Sequence, residues 1–322
     1  MKVAVVLLVY AALLATGVPR LLVAASWADR APRLAICLWQ ALSVSVLAAA
    51  GLAGLALAVP TAKISGGIAE LLRACVMSLR ASYATPGGAA IAGAGLTLST
   101  VLLLRVGSCA TVELVRAGRA RRAHAGKLAV LARPEPDLGA VVIPHPAAAA
   151  YCLPGRARRV VVTTAALETL SVDQLHAVLA HERAHLAGRH HLVVAGADAF
   201  ARAFPRVPLF TAARAEVARL VELAADDAAS RRHERLSIAA ALAALAGGGS
   251  PDAGLAAGGP TALGRVRRLL RPAQPLGAAR TTLGAVLVTA VLVIPGAVAA
   301  GPVLAATHAI YCPLSAVAPP VG

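Results

Sequence analysis

Aromatic residues, acidic residues and paired cysteines are all scarce in this chain. Phe, Trp and Tyr together supply 3% of its 322 residues, and no helix-turn-helix or interleaved aromatic-basic pattern marks a nucleic-acid surface. The five cysteines (Cys37, Cys75, Cys109, Cys152 and Cys312) show no Cys-x-x-Cys spacing. That excludes a disulfide framework and a Cys-rich metal site, and leaves them as small hydrophobes. No Ser-His-Asp arrangement and no phosphate-binding loop is present. Beyond Arg280 there is no Asp, Glu, Lys or Arg.

What the chain has is apolar length and positive charge. Hydrophobic residues make up 58% and the mean hydropathy is +0.74, above the range of soluble domains. Four stretches reach the roughly 20 residues a bilayer crossing needs: Val3–Ala25, Leu34–Val59, Ala89–Val112 and Thr281–Leu304. The first also reads as a signal peptide, with Lys2 before an apolar run. Its length and the second stretch close behind favour a retained anchor. The chain is thus expected to be mainly α and polytopic. A two-span hairpin (1–60) is followed by an outer loop (61–88), a third span (89–115), a large inner segment (116–280), a fourth span (281–304) and a tail (305–322).

The net charge of +16 concentrates in the inner segment, where 23 Lys and Arg face 12 Asp and Glu. Next to membrane spans, such a block reads as the positive-inside bias and as attraction to anionic lipid, with no nucleic-acid partner expected. Arg20, Arg30 and Arg33 lie around the junction of spans one and two, with Trp27 and Trp39 as expected interfacial anchors. Both basic segments are therefore placed in the cytoplasm of a plasma-membrane protein, and both termini and Thr61–Gly88 outside. Ile64, Ile68, Leu71, Leu72, Cys75, Val76 and Leu79 give the outer loop an amphipathic helical spacing. Cys75 and Cys312 share the outer side, where a disulfide is chemically open to them.

The inner segment starts with a basic linker, Arg116–Lys127. Short β-rich runs follow at Ala140–Ile143, Ala148–Leu153 and Arg159–Thr164, the last two joined as a hairpin by Leu153-Pro154-Gly155. Ser171-Val172-Asp173-Gln174 forms a capping box for a helix through about His190. Further helices are expected at Thr211–Ser230, Leu236–Leu245 and Thr261–Leu270, with a Gly247–Pro251 break.

The chemistry rests on His181-Glu182-Arg183-Ala184-His185. Histidines at i and i+4 lie on one helix face, so both imidazoles can converge on one Zn²⁺. Glu182, displaced around the helix, is placed to handle a proton and not the ion. The bland reading is a surface helix. Against it, Ala177–Ala180 and Leu186 flank the motif and would bury both imidazoles, which then need partners. A catalytic zinc needs a third protein ligand. Glu222 and Asp226, again at i and i+4, offer one carboxylate for the metal and another to hold a ligand histidine. A solvated acidic face with Asp227 is the alternative; the upstream motif favours Glu222 as ligand. His190 returns near the face of His181 as a substitute ligand, or else sits with His191 at the helix end, where the dipole favours cations.

Taken together, three spans, a basic segment with H-E-x-x-H and E-x-x-x-D, and a fourth span resemble the Bla/Mec regulator membrane peptidases, relatives of the HtpX and CAAX-prenyl-protease enzymes. Ala150–Gly155, Arg159–Thr164, Ala177–Leu186 and Arg265–Leu270 carry the likeness. It implies a cytoplasmic α+β zincin-like domain with His181, His185 and Glu222 as zinc ligands, Glu182 as base and Asp226 behind a ligand histidine. It also implies that a strand near Arg159–Thr164 holds extended substrate by edge pairing. The family's typical substrate, a winged-helix repressor, makes an antirepressor protease the leading expectation. A quality-control protease and a non-catalytic receptor are the alternatives. Gly259-Pro260 stands where HtpX-like enzymes often have His-Pro, so no oxyanion-stabilising side chain is named.

Overall fold

The computed structural model describes residues 1–58, 87–155, 158–247 and 260–311. The amphipathic outer-loop helix, the break after Gly247 and the Cys75–Cys312 pair lie outside these residues. In chain order the first elements are α1 (Lys2–Thr16), α2 (Val18–Val23), α3 (Pro32–Ala58) and α4 (Gly88–Leu131). Then come β1 (Arg133–Glu135), β2 (Ala140–Ile143), β3 (Ala150–Leu153), β4 (Arg159–Thr163) and α5 (Thr164–Thr169). The remainder is α6 (Val172–Ala187), α7 (His190–Ala203), α8 (Pro208–Ala229), α9 (Arg235–Gly247), α10 (Pro260–Leu270) and α11 (Ala278–Tyr311).

Four of these helical stretches are long and apolar enough to cross a membrane: Lys2–Val23, Pro32–Ala58, Gly88–His124 and Ala278–Gly301. Their outer faces carry bare leucines, Leu103 and Leu104 of α4 and Leu283 of α11 among them, which bilayer hydrocarbon would cover. Helix α3 is the hub, packing on α1, α4 and α11. Its crossing with α4 is tight: a side chain at Gly54 would meet Ser99 Oγ and the Gly95 carbonyl, and Ser99 Oγ donates to Gly51 O at 2.9 Å. Small residues let membrane helices approach this closely, and a hydroxyl then bonds across. Trp39 is not an interfacial anchor. It is 2% exposed because α3 turns that face towards α8, and the bulk of the indole fills the junction. Trp27 is half-buried.

The expected linker Arg116–Lys127 is the last part of α4, a single 44-residue helix. Ala and Arg are strong helix formers and no proline interrupts them, so the span continues unbroken into the basic segment. The sheet has the order β1-β2-β4-β3, with β2 and β4 parallel and β3 antiparallel to β4. The expected β3–β4 hairpin is therefore present, with Leu153 opposite Arg159. The edge-pairing expectation is corrected by the same order. β4, buried at Val160, Val161 and Val162, has neighbours on both sides, and among the described residues the free edge beside α6 belongs to β3.

Helices α7 and α8 are built onto the bundle. Val217, Leu220 and Val221 of α8 are fully buried in one cluster with Leu38, Trp39 and Leu42 of α3. Arg202 of α7 pairs with Glu113 of α4. At about 25 cal/mol per Å² of apolar area, three such side chains contribute several kcal/mol to this junction.

Candidate metal centre

Helix α6 starts where its residues require. Ser171 Oγ accepts from Gln174 N, and Gln174 Oε1 accepts from Ser171 N at 3.0 Å, so both halves of the capping box are made. Leu175, Val178, Leu179 and Leu186 bury one face, which carries His181 and His185 down to 8% and 6% exposure. The helix does not reach His190. It stops at Gly188, and Arg189 takes a left-handed conformation with φ of 49°, which turns the chain into α7. His190 and His191 thus open a new helix, at the end where its dipole disfavours a cation.

Around the motif, the five expected residues come together. His181 Nε2 and His185 Nε2 are 3.0 Å apart. Glu222 Oε2 lies 3.5 Å from the first and Glu222 Oε1 3.4 Å from the second. Atoms about 2.0–2.1 Å from a tetrahedral zinc stand roughly 3.3 Å from one another, so all three separations suit that ion. Among the described residues, Glu222 Oε1 is also buried without a hydrogen-bond partner, an arrangement that costs free energy until something fills it. Two imidazoles and one carboxylate are a donor set that zinc accepts. The residues present fit the metal.

Behind these atoms stands a second row. Asp226, fully buried, places Oδ1 3.0 Å from His181 Nδ1, at an oblique angle that leaves Nδ1 without a well-formed hydrogen bond. His190 Nδ1 is 2.9 Å from His185 Nδ1, so each ligand-candidate imidazole has a partner on its other nitrogen. Asp226 is no solvated acid. The substitute-ligand reading of His190 gives way too, since its ring faces the far side of His185.

Arg265 completes the site. From α10 it donates to Asp226 Oδ1 at 2.7 Å and Oδ2 at 2.9 Å, and pairs with Glu222 Oε2 at 2.8 Å. Its side chain is 5% exposed. Sequence reasoning missed this residue, although a signal exists. Ala262, Arg265, Val266 and Leu269 fall at i, i+3, i+4 and i+7, and Arg265 is the one charge on that buried stripe.

Charges in the metal-free centre follow from this packing. Burial lowers His181, but the close carboxylates of Asp226 and Glu222 outweigh it and push the ring up to about 10. Burial and the neighbouring His181 charge push His185 down to about 3. One proton between two facing Nε2 atoms is what a 3.0 Å contact requires. Glu222 and Asp226 are raised by burial, but His181 and Arg265 hold both well below the usual carboxylate range. Burial raises Glu182 to about 7, with His181 opposing and Glu222 adding to the rise.

His181, Glu182, His185, Glu222 and Arg265 line a cleft of about 420 Å³, within the size range of substrate pockets. Its opposite wall is β3. The Cys152 thiol and backbone N–H lie against the Glu182 carboxylate. Tyr151 OH is 2.8 Å from His124 Nε2 of α4, so the extension of a span-length apolar helix reaches β3.

Residues 116–273 match the model of peptidase family M48. The matched segment contains the sheet, the H-E-x-x-H helix, the Glu222 helix and Arg265. It supports the M48 metallopeptidase family, whose members depend on zinc. No curated protein and no solved structure matches the chain.

Proposed function

We propose that this chain, with residues 116–273 matching peptidase family M48, is a membrane zinc endopeptidase that cuts cytoplasmic protein. The observation that carries the reading is the triangle of His181 Nε2, His185 Nε2 and the Glu222 carboxylate, with sides of 3.0, 3.4 and 3.5 Å, set in a cleft beside a free strand edge. His181, His185 and Glu222 would hold zinc, which supplies a polarised carbonyl and a more acidic water.

The remaining work falls to the chain itself. Glu182 takes a proton from the attacking water at its carboxylate and returns it to the leaving amine nitrogen. A carboxylate beside the metal site and not bound to the ion is placed for both transfers. Asp226 and His190 fix the two imidazole rings, and Arg265 fixes Glu222 and Asp226. The outer edge of β3, Ala150–Leu153, pairs with extended substrate.

The basic segment, the positive-inside bias and the Bla/Mec resemblance support a cytoplasmic active site and a winged-helix repressor as substrate. Glu222 sits on α8, whose other face is packed into the span core, so a change in the bundle reaches a ligand helix directly. The test compares wild type with Glu182→Ala for zinc content and for cleavage of co-expressed repressors. Zinc is expected to stay while cleavage falls roughly 10²–10⁴-fold. Protein that binds no stoichiometric zinc would sink the enzyme reading. A repressor that survives intact under inducing conditions would sink the antirepressor role. Broad cleavage of damaged membrane proteins would point to quality control.

A further inference from the structure

A second cavity, of about 470 Å³, lies at one end of the helix bundle. That end faces the peptidase helices, because Asp29 in the α2–α3 turn accepts from Arg219 of α8 at 2.6 Å and its carbonyl from Arg268 of α10 at 3.0 Å. Leu34 and Leu38 of α3 and Leu283 and Leu287 of α11 form apolar walls. Arg30 and Arg280 also line it, one from the turn before α3 and one from the first turn of α11, with Ser26 and Trp27 adding a hydroxyl and an indole.

Two properties of this cavity select its occupant. Asp29, the one acid in the turn, is taken by Arg219, and among the described residues no ion pair includes Arg30 or Arg280. Two arginines therefore line one cavity with no ion-pair partner among the described residues. The apolar walls, meanwhile, open outward: Leu283 and Leu287 are 69% and 51% exposed on a helix long and apolar enough to span a bilayer. A soluble anion would satisfy the arginines but leave that furrow bare. A neutral lipid would fill the furrow but leave the arginines unpaired.

We propose that this is a binding site for one anionic glycerophospholipid, with its phosphodiester between Arg30 and Arg280 and an acyl chain along Leu34, Leu283 and Leu287. Guanidinium forks suit phosphate oxygens, and the combination of Trp, Arg and bare leucine is that of a membrane interface. Such a lipid bridges the α2–α3 turn and α11 one residue from the Asp29–Arg219 link to the Glu222 helix. The site stands independently of the peptidase reading.

Native mass spectrometry of the full chain, released from mild detergent with phosphatidylglycerol, phosphatidylcholine or inorganic phosphate, tests the proposal. One phosphatidylglycerol is expected to stay bound, while phosphatidylcholine and phosphate are lost. Arg30→Gln with Arg280→Gln should lower retention roughly tenfold or more, the scale of two juxtamembrane cationic contacts. Arg119→Gln with Arg122→Gln removes the same charge from exposed positions on α4 and should leave retention unchanged. Leu283→Trp fills the furrow with both arginines intact and should also expel the lipid; it decides the matter if the arginine double variant fails to fold. Retention unaltered in Leu283→Trp or in the double variant, equal loss in the α4 control, or equal binding of phosphatidylcholine or bare phosphate overturns the site.

Discussion

Ser45 Oγ on α3 donates a 2.7 Å hydrogen bond to the Val291 carbonyl on α11. That carbonyl is four residues before Pro295, which has no N–H to offer it. Tyr10 OH on α1 joins the same group, 2.8 Å from Ser45 Oγ and 3.2 Å from Val291 O. In hydrocarbon an unpaired carbonyl costs several kcal/mol, so the proline creates an acceptor and two hydroxyls on other helices satisfy it.

From this follows a non-additive pair of substitutions. Ser45→Ala alone should destabilise the bundle by about 0.6–2 kcal/mol, the range for interhelical side-chain bonds in membranes. In a Pro295→Ala background the carbonyl regains a partner within α11, and the same Ser45→Ala change should cost markedly less. Unfolding of the four proteins in detergent checks the cycle, and equal costs in both backgrounds would show that the proline has no part in it.

Arg265 should matter more to the metal-free protein than to the zinc form. It is the buried cation facing Asp226 and Glu222 at 2.7 and 2.8 Å. Truncating one partner of a buried ion pair leaves an uncompensated charge and costs about 3–5 kcal/mol. Zinc supplies positive charge a short distance away and so offsets part of the loss. Arg265→Ala should lower Tm strongly in a chelator and less with zinc present. Arg265→Lys, which keeps charge but not the two-pronged geometry, should fall between them. An equal drop with and without zinc would separate Arg265 from the metal centre.

The parts of the site that were legible in the sequence are the local ones. The capping box at Ser171, the turn-apart pairs His181/His185 and Glu222/Asp226, and the β3–β4 turn depend on residues within a few positions of each other. Helix geometry settles those. What escaped depends on distant pairings or on one backbone angle. Strand order decides that β3 and not β4 is the edge, and no period in Arg159–Thr164 encodes which neighbours it has. A left-handed Arg189 ends α6 early, while the Gly188 before it keeps helical angles, so the glycine does not take the one conformation that would have made it a turn signal. Trp39 looks like an interfacial residue until α8 is known to pack against it.

Acid should destabilise the metal-free centre in a defined window. Burial holds His185 down to about 3 and His190 to about 4, whereas in the unfolded chain each binds a proton near 6.5. Between those values the unfolded state carries more protons, so stability is full above about 6.5 and falls as pH drops towards 4. Asp226 and Glu222, both depressed, extend the loss below the usual carboxylate range. His181 and Glu182 are raised, to about 10 and about 7. Their contributions are present at low pH and lost as pH rises through those values. Tm in chelator should therefore be highest near neutral pH, and His190→Asn should flatten the acid limb. A Tm that stays level from pH 6.5 to 4 would contradict the buried neutral rings.

Gly188 offers a way to disturb the candidate ligand His185 without touching it. The residue has ordinary helical angles, φ of −75° and ψ of −5°, so alanine is tolerated by the backbone. The added methyl would nonetheless meet the His190 ring, whose Nδ1 is 2.9 Å from His185 Nδ1. Groups that hold a metal-bound histidine by its second nitrogen are worth about 10–100-fold in metal affinity. Gly188→Ala and His190→Ala should each weaken zinc binding on that scale, as measured by competition with a fluorescent chelator. In the double variant the methyl has no ring to displace, so its loss should equal that of His190→Ala alone. If the two effects instead multiply, Gly188 acts through the helix end and not through His190.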